Sequence, residues 1–387
     1  MSGGFAVYVH VPFCVRRCTY CDFPVVVGMG SAERSRYLDA VAAEWASEAL
    51  PAGPVTSVYF GGGTPSLADP RDIGRVLEAI GGRAPIQAGA EVTLEVNPGT
   101  VAAGSLADFR QAGVNRMSLG VQAAQPHHLR QLHREHTVAE AHLAIRQMRR
   151  AGFHNVSVDA IYGLPAQTVR EWRDTLACLT SWEPEHLSLY ALQVEAGTPL
   201  ARAVGRGDAV LPAEDMAGDM GDLADVLLPS LGYRRYEVSN FAQPGRESRH
   251  NQAYWRHQPY IGVGAGAHSF SGPGPDGARR WWNVRHVRAY MASALAGKDP
   301  TAGEEHLSRT QLAGEFLWLG LREAAGVSES AFREVYGRSL PEAVPGVVEG
   351  LVAQHLLWRT GGRLGLTRRG FQISNQVFER FLSPNLG

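Results

Sequence analysis

"YVHVPFCVRRCTYCDF", residues 8–23, places three cysteines just after a hydrophobic, strand-like run. Cys14, Cys18 and Cys21 follow the spacing C-x3-C-x2-C, and they are three of only four cysteines in the chain. A secreted disulfide framework spreads its cysteines along the sequence. A cluster this tight, in a reducing compartment, reads as metal-binding. Thiolates suit zinc and iron–sulfur clusters. A closed zinc site needs a fourth ligand, and His10 and Asp22 are the nearest candidates. A [4Fe–4S] cluster held by three cysteines instead leaves one iron open to a substrate or cofactor. Tyr20, between the second and third cysteines, can pack over such a cluster. The fourth cysteine, Cys178 in "WRDTLACLTSW", has apolar neighbours and reads as a core residue.

Outward from this loop the first half alternates short β-like runs with helical ones. "FAVYVHV" leads to "SAERSRYLDAVAAEWASEAL", where Leu38, Val41, Trp45 and Leu50 recur near the helical period. "TSVYFGG", "EVTLEVN", "NRMSLGVQ" and "NVSVDAIYG" each precede a helical run, and "HLSLYALQV" closes the series. Gly113 and Gly152 mark helix ends. Six βα units predict an α/β fold with a parallel sheet and outer helices, as a partial (β/α)6 barrel or a doubly wound sheet. The cysteines then lie at the C-terminal end of the first strand, where parallel barrels keep their active sites. Past about residue 200 the rhythm breaks, with "GPGPDG" as a loop. From about 305 the pattern turns helical, in "TQLAGEFLWLGLRE" and "PEAVPGVVEGLVAQHLLW". A hairpin-like "LLWRTGGRLGLTRRG" follows, so two helices and a small wing are expected.

With 387 residues and 44% hydrophobic content the chain can bury a large core. The domains are read as 1–205 for the barrel, 206–300 for an α+β extension packing on it, and 301–387 for a helical, winged-helix-like C-terminal domain. A net charge of -1 supplies no global basic footprint, so nucleic acid is not expected as a partner. "MSGGFAVYVHVPFC" lacks the basic start of a signal peptide, and no apolar run is long enough for a membrane span, so a cytoplasmic location is expected.

The stretch quoted first closely resembles the signature of radical S-adenosylmethionine (SAM) proteins, and more narrowly the group around oxygen-independent coproporphyrinogen III oxidase. The likeness continues through "VYFGGGTPS", "TLEVNPGT", "NRMSLGVQ", "LHREH" and "VDAIYGLPAQT". It implies a radical SAM barrel in which Cys14, Cys18 and Cys21 hold the cluster. The open iron would chelate the methionine part of the cofactor, and the reduced cluster would cleave it to a 5′-deoxyadenosyl radical. By the same resemblance Gly62, Gly63 and Thr64 contact the methionine moiety, where glycines let backbone approach a ligand. Read from the residues alone, that run is a tight strand-to-helix turn. The resemblance further places Glu95, Gln122, Asp159 and Arg134 around the cofactor, with Tyr8 and Tyr20 as contacts. For each polar residue the plain alternative is a structural salt bridge or cap.

Two features mark the branch. The oxidases carry a further cysteine two positions after the third, where Phe23 stands here. "HNQAYW", residues 250–255, fits a motif of the HemW proteins, which resemble the oxidase but are described as heme chaperones. The resemblance implies His250 as a heme ligand with Tyr254 and Trp255 against the porphyrin; read from the residues alone, these are packing side chains between domains. His268 in "GVGAGAHS" is a second candidate. The resemblance also sets the few residues read before the first strand, Met1 to Phe5, against a longer N-terminal extension in the oxidases, so decarboxylation is not expected. The expected cofactors are thus a [4Fe–4S] cluster and SAM, with heme as cargo. The expected partners are heme-accepting proteins, an external one-electron donor such as flavodoxin or ferredoxin, and peripheral contact with membrane proteins. The competing readings are coproporphyrinogen decarboxylation and another radical reaction on a porphyrin.

Overall fold

The structure is a computed structural model, which describes residues 3–100 and 103–382. Twelve strands form one sheet. In chain order they are β1 (Phe5–Val11), β2 (Val55–Gly62), β3 (Ile86–Val96), β4 (Arg116–Gln122), β5 (Val156–Tyr162) and β6 (His186–Ala191), then β7 (Arg234–Arg235), β8 (Asn240–Ala242), β9 (Tyr260–Val263), β10 (His268–Phe270), β11 (Ala278–Asn283) and β12 (Thr301–Leu307). Their spatial order is β12-β11-β10-β9-β1-β2-β3-β4-β5-β6-β8-β7. The run from β9 through β1 to β6 is parallel, and the outer pairs on both sides are antiparallel.

The six expected strands are present, and a seventh parallel strand joins them. β9 lies beside β1, in register Ala6 to Tyr260 through Val9 to Val263. Residues 206–300, expected to pack on the barrel, therefore extend its sheet at both edges. Local sequence cannot announce this, because β9 is four residues long and pairs with a strand some 250 positions earlier.

Helices α1 (Ser31–Ser47), α2 (Pro70–Arg83), α3 (Ala103–Gln111), α4 (Pro126–Gln131), α5 (Val138–Arg150) and α6 (Val169–Thr180) follow strands β1 to β5. Their starts are encoded locally. Asp69 accepts from the Arg71 amide with Pro70 at the first helical position, and Thr137/Glu140 and Thr168/Glu171 form reciprocal capping boxes. α1 buries Leu38, Val41 and Trp45 but stops at Ser47, short of Leu50. Pro51 disfavours helical backbone at the residue before it.

α7 (Pro199–Arg206), α8 (Glu214–Leu227), α9 (Arg249–Trp255) and α10 (Val287–Leu295) belong to the middle region. "GPGPDG" is the connection between antiparallel β10 and β11. The C-terminal unit begins at Ser308, which caps α11 (Arg309–Gly320); Thr301–Leu307 before it is the edge strand of the large sheet. An additional helix, α12 (Glu329–Tyr336), comes next, and the single helical run expected over 341–358 is two helices, α13 (Leu340–Ala343) and α14 (Val347–Ala353). Pro345 and the left-handed Gly346 (φ 73°) break it. The wing is present. Leu357–Thr360 and Arg363–Leu366 pair across Gly361-Gly362, both at positive φ, and Val327–Ser328 adds a third strand. A core containing Leu312, Leu317, Phe332, Val348 and Phe378 also takes in Phe270 and Leu307, which seats this unit on the β10–β12 edge.

Candidate functional site

The cysteine loop leaves the C-terminal end of β1 and is pinned at its base. Phe13–Cys14 pairs with Val26–Val27, and the Val26 amide donates to the Pro12 carbonyl at 2.7 Å. The glycine run at the end of β2 closes under it. The Gly63 amide donates to Val11 at 2.9 Å and the Thr64 amide to Phe13 at 2.6 Å. A side chain at Gly63 would meet the Phe13 carbonyl oxygen at 2.6 Å, so only glycine lets the two backbones touch. Further along, the Thr19 amide and hydroxyl donate to the Leu132 and Gln131 carbonyls, tying the loop to the end of α4.

Cys14, Cys18 and Cys21 are free thiols of intermediate burial. The Thr64 hydroxyl lies 3.9 Å from Cys14 Sγ, and Arg134 Nη1 lies 3.6 Å from Cys18 Sγ. Arg134 also donates to Asn97 Oδ1 and the Gly120 carbonyl, and Asn97 donates to Thr64 Oγ1 at 2.7 Å. One polar chain, Thr64–Asn97–Arg134, thus links two of the cysteines. Burial pushes the Cys14 thiol up to about 11, so a thiolate there calls for a bound cation. Among the described residues, three ligand atoms come within 4.8 Å of one another only at His127, His128 and Glu171. Of the two candidate fourth ligands, His10 is already engaged elsewhere. His10 faces Tyr8 Oη and the Pro24 carbonyl at 3.2 and 2.9 Å, and Asp22 is exposed.

Below the mouth the barrel is lined with polar groups. Glu95 accepts from the Gly62 amide and the Tyr59 hydroxyl, both at 2.9 Å. Burial raises its carboxyl to about 7 despite these hydrogen bonds. Tyr8 stacks on Tyr59. Gln122 ends β4 in a left-handed conformation (φ 72°), at a register shift opposite β5. Strain of this kind in a non-glycine residue is held by its surroundings and turns the side chain from the regular strand direction. Asp159 lies in mid-strand opposite Gly120, not at a strand end as Gln122 does. Ser118 and Ser157 donate to it at 3.1–3.2 Å, so it sits deeper in the barrel. Tyr20 packs with Leu129, Leu132 and Leu164 beside Arg134. Cys178 packs against the main core, as expected.

The barrel's other end is closed by α9. His250 is 1% exposed, with Nδ1 3.0 Å from Ser57 Oγ and Nε2 2.9 Å from Tyr254 Oη. Its ring stacks on Tyr59 at 5.0 Å, and Glu91 accepts from the amides that begin the helix. Both ring nitrogens are engaged, so the motif forms the barrel floor, on the side away from the cysteines. Trp255 points the other way, under the Arg322 guanidinium of the C-terminal unit. His268 is exposed and stacks on Trp282.

Asn97, Tyr59, Ser118 and Arg116 were not singled out from the sequence. Their signal was period-2 alternation. β3 carries Glu91, Thr93 and Glu95 on the inner face against Val92, Leu94 and Val96, and β4 carries Arg116 and Ser118 against Met117 and Leu119.

A family model for the radical SAM superfamily matches residues 8–179, and one for the HemN C-terminal domain matches 307–373. The heme chaperone HemW of Lactococcus lactis is 33% identical over 98% of this chain and 98% of its own length. The chain belongs to the HemW family. The Mycobacterium tuberculosis HemW is 37% identical over 98% of this chain and 95% of its own length. The structure of coproporphyrinogen III oxidase from Escherichia coli superposes with a TM-score of 0.83, over 98% of this chain and 90% of that one. At 22% identity, this likeness concerns the fold that HemW proteins and the oxidase share.

Proposed function

We propose that the protein is a heme chaperone that carries a [4Fe–4S] cluster on Cys14, Cys18 and Cys21, binds SAM at the barrel mouth, and delivers heme to heme-requiring proteins. The observation that carries this reading is end-to-end similarity to relatives named heme chaperone HemW, together with three free cysteines in a cradle tied by Thr64, Asn97 and Arg134. Bound there, the cluster supplies low-potential one-electron chemistry. The chain's own residues hold and orient. Gly62, Gly63 and Thr64 offer close backbone, and Arg134 offers a guanidinium beside Cys18 for a cofactor carboxylate. Glu95, Gln122 and Tyr8 stand below the mouth with Asp159 beneath them, and Tyr20 packs beside Arg134. Val15, Phe23 and Val27 expose apolar surface around the cysteine loop, rimmed by Arg16 and Arg17. That surface suits an acidic one-electron donor such as flavodoxin or ferredoxin.

For heme, the HNQAYW assignment requires α9 to leave the barrel floor, because His250 has no free ring nitrogen. His268 already lies at the surface beside an aromatic ring. An anaerobic heme titration of cluster-reconstituted wild type, His250→Ala and His268→Ala, read by absorbance, tests both. Stoichiometric binding is expected in wild type. Loss in His250→Ala, measured below the onset of that variant's own unfolding, would mean that α9 opens. Loss in His268→Ala would put the iron on the surface. Absence of heme binding, with turnover of coproporphyrinogen, would overturn the chaperone reading in favour of the oxidase.

A further inference from the structure

Two histidines and a glutamate meet on the barrel rim, away from the cysteine loop. His127 and His128 lie in the first turn of α4, and Glu171 lies in the first turn of α6. His127 Nε2 is 3.1 Å from Glu171 Oε1, and His128 Nε2 is 3.7 Å from Glu171 Oε2. All three ligand atoms lie within 4.8 Å of one another.

A surface ion pair would account for His127, which is 53% exposed. It does not account for His128. That side chain is fully buried, and its Nε2 has no hydrogen-bond partner. Its other nitrogen, Nδ1, faces Gln131 Oε1 at 3.5 Å, which favours the tautomer with the proton on Nδ1. The Nε2 lone pair then faces a carboxylate oxygen. A buried, unpartnered ring nitrogen thus faces a partly exposed carboxylate, an arrangement that costs free energy unless a cation or donor fills it.

The carboxylate is fixed in advance. Thr168 donates to Glu171 Oε2 through its amide and its hydroxyl, both at 2.9 Å. Gln125 reaches from the start of α4 to the Glu171 carbonyl at 2.7 Å and accepts from Thr175 at 3.0 Å. A tetrahedral ion with bonds of about 2.0–2.2 Å sets neighbouring ligand atoms about 3.3–3.5 Å apart. The 3.1 Å contact of His127 already matches that spacing, the 3.7 Å contact of His128 runs to the other carboxylate oxygen, and the three ligand atoms start within 4.8 Å of one another.

We propose that His127, His128 and Glu171 bind one divalent transition-metal ion, zinc by ligand type, with a fourth position left to water. The ion would clamp α4 to α6. Because the far end of α4 accepts the Thr19 hydrogen bonds, the clamp bears on the loop that carries Cys18 and Cys21. This site is independent of the heme and cluster assignments above.

The test is an anaerobic Zn²⁺ titration, by calorimetry, of the cluster-reconstituted protein and of a Cys14→Ser/Cys18→Ser/Cys21→Ser variant. The second protein removes competing thiolates and serves whether or not the cluster assembles. One equivalent of Zn²⁺ is expected in both, with affinity lowered roughly 10-fold or more by His127→Ala, His128→Ala or Glu171→Gln. His127 is exposed, so its variant reports even if the buried His128→Ala does not fold. Co²⁺ in the cysteine-free variant should give d–d bands without thiolate charge transfer. No bound Zn²⁺ in the cysteine-free protein, or equal affinity in His127→Ala and Glu171→Gln, overturns the proposal.

Discussion

Gly63 shows how tightly single residues constrain the site. Its absent Cβ would fall 2.6–2.9 Å from three backbone atoms of the strand and loop that lead into Cys14. Backbone cannot swing aside as a side chain can. Gly63→Ala should therefore cost roughly 1–3 kcal/mol and reduce iron retention after reconstitution. A denaturant midpoint and iron content equal to wild type would refute this. Glu95 makes a second residue-level prediction. Burial raises its folded-state value from 4.5 to about 7, so the folded state holds its proton more tightly than the unfolded state. Its contribution is fully present below about pH 4.5 and is lost as pH rises through about 7. In cofactor-free protein, Glu95→Gln should flatten the fall in stability across that window. An unchanged slope in pH-dependent melting would refute the assignment.

At the level of elements, α9 is a plug in the barrel floor. His250 joins Ser57 on β2 to Tyr254 on its own helix and stacks on Tyr59, beneath Glu95. Removing its ring would leave two buried hydroxyls unpaired and a cavity, so His250→Ala should lower stability by roughly 2–4 kcal/mol. Exposed His268→Ala should stay within roughly 0.5 kcal/mol of wild type. Chemical denaturation of both variants checks this, and comparable losses would mean that His250 is not a core residue. Burial lowers the His250 value from 6.5 to about 3. Its contribution is complete above about pH 6.5 and is lost as pH falls toward 3, opposite in sign to that of Glu95. Helix starts were legible at this scale, because caps such as Thr137/Glu140 are local. Helix ends were less so: Leu50 kept the helical period past the true end of α1, and Pro345-Gly346 broke a run that hydrophobic pattern alone joined.

Across the whole molecule, Arg322 joins the C-terminal unit to the barrel. Its guanidinium lies 4.8–5.0 Å from the rings of Trp255, Trp318 and Phe378, the first of which belongs to α9. Beside it, Arg256 of the α9 cap grips Glu323 through both carboxylate oxygens at 3.0–3.2 Å. Arg322→Ala removes a stacked cation and should destabilise the protein by roughly 1–3 kcal/mol. It should also increase tryptophan exposure to a collisional quencher. An unchanged midpoint with unchanged quenching would show that the stack carries no docking energy. Among the described residues no helix is long and apolar enough to cross a membrane.

The βα rhythm, the cysteine spacing, the GGGTP turn and the wing hairpin were readable directly, because each rests on periodicity or on backbone chemistry within a few residues. Those signals were enough to place Cys14, Cys18 and Cys21 on the loop after β1 and the glycines opposite them. Tertiary structure alone decided what depends on pairing over long separations. It added β9 beside β1, put His250 at the barrel floor instead of at an open face, and joined Asn97 to both Thr64 and Arg134. It also brought His127 and His128 to Glu171. Sequence spacing cannot encode such contacts, since their partners stand on separate strands and helices that meet only when the sheet assembles.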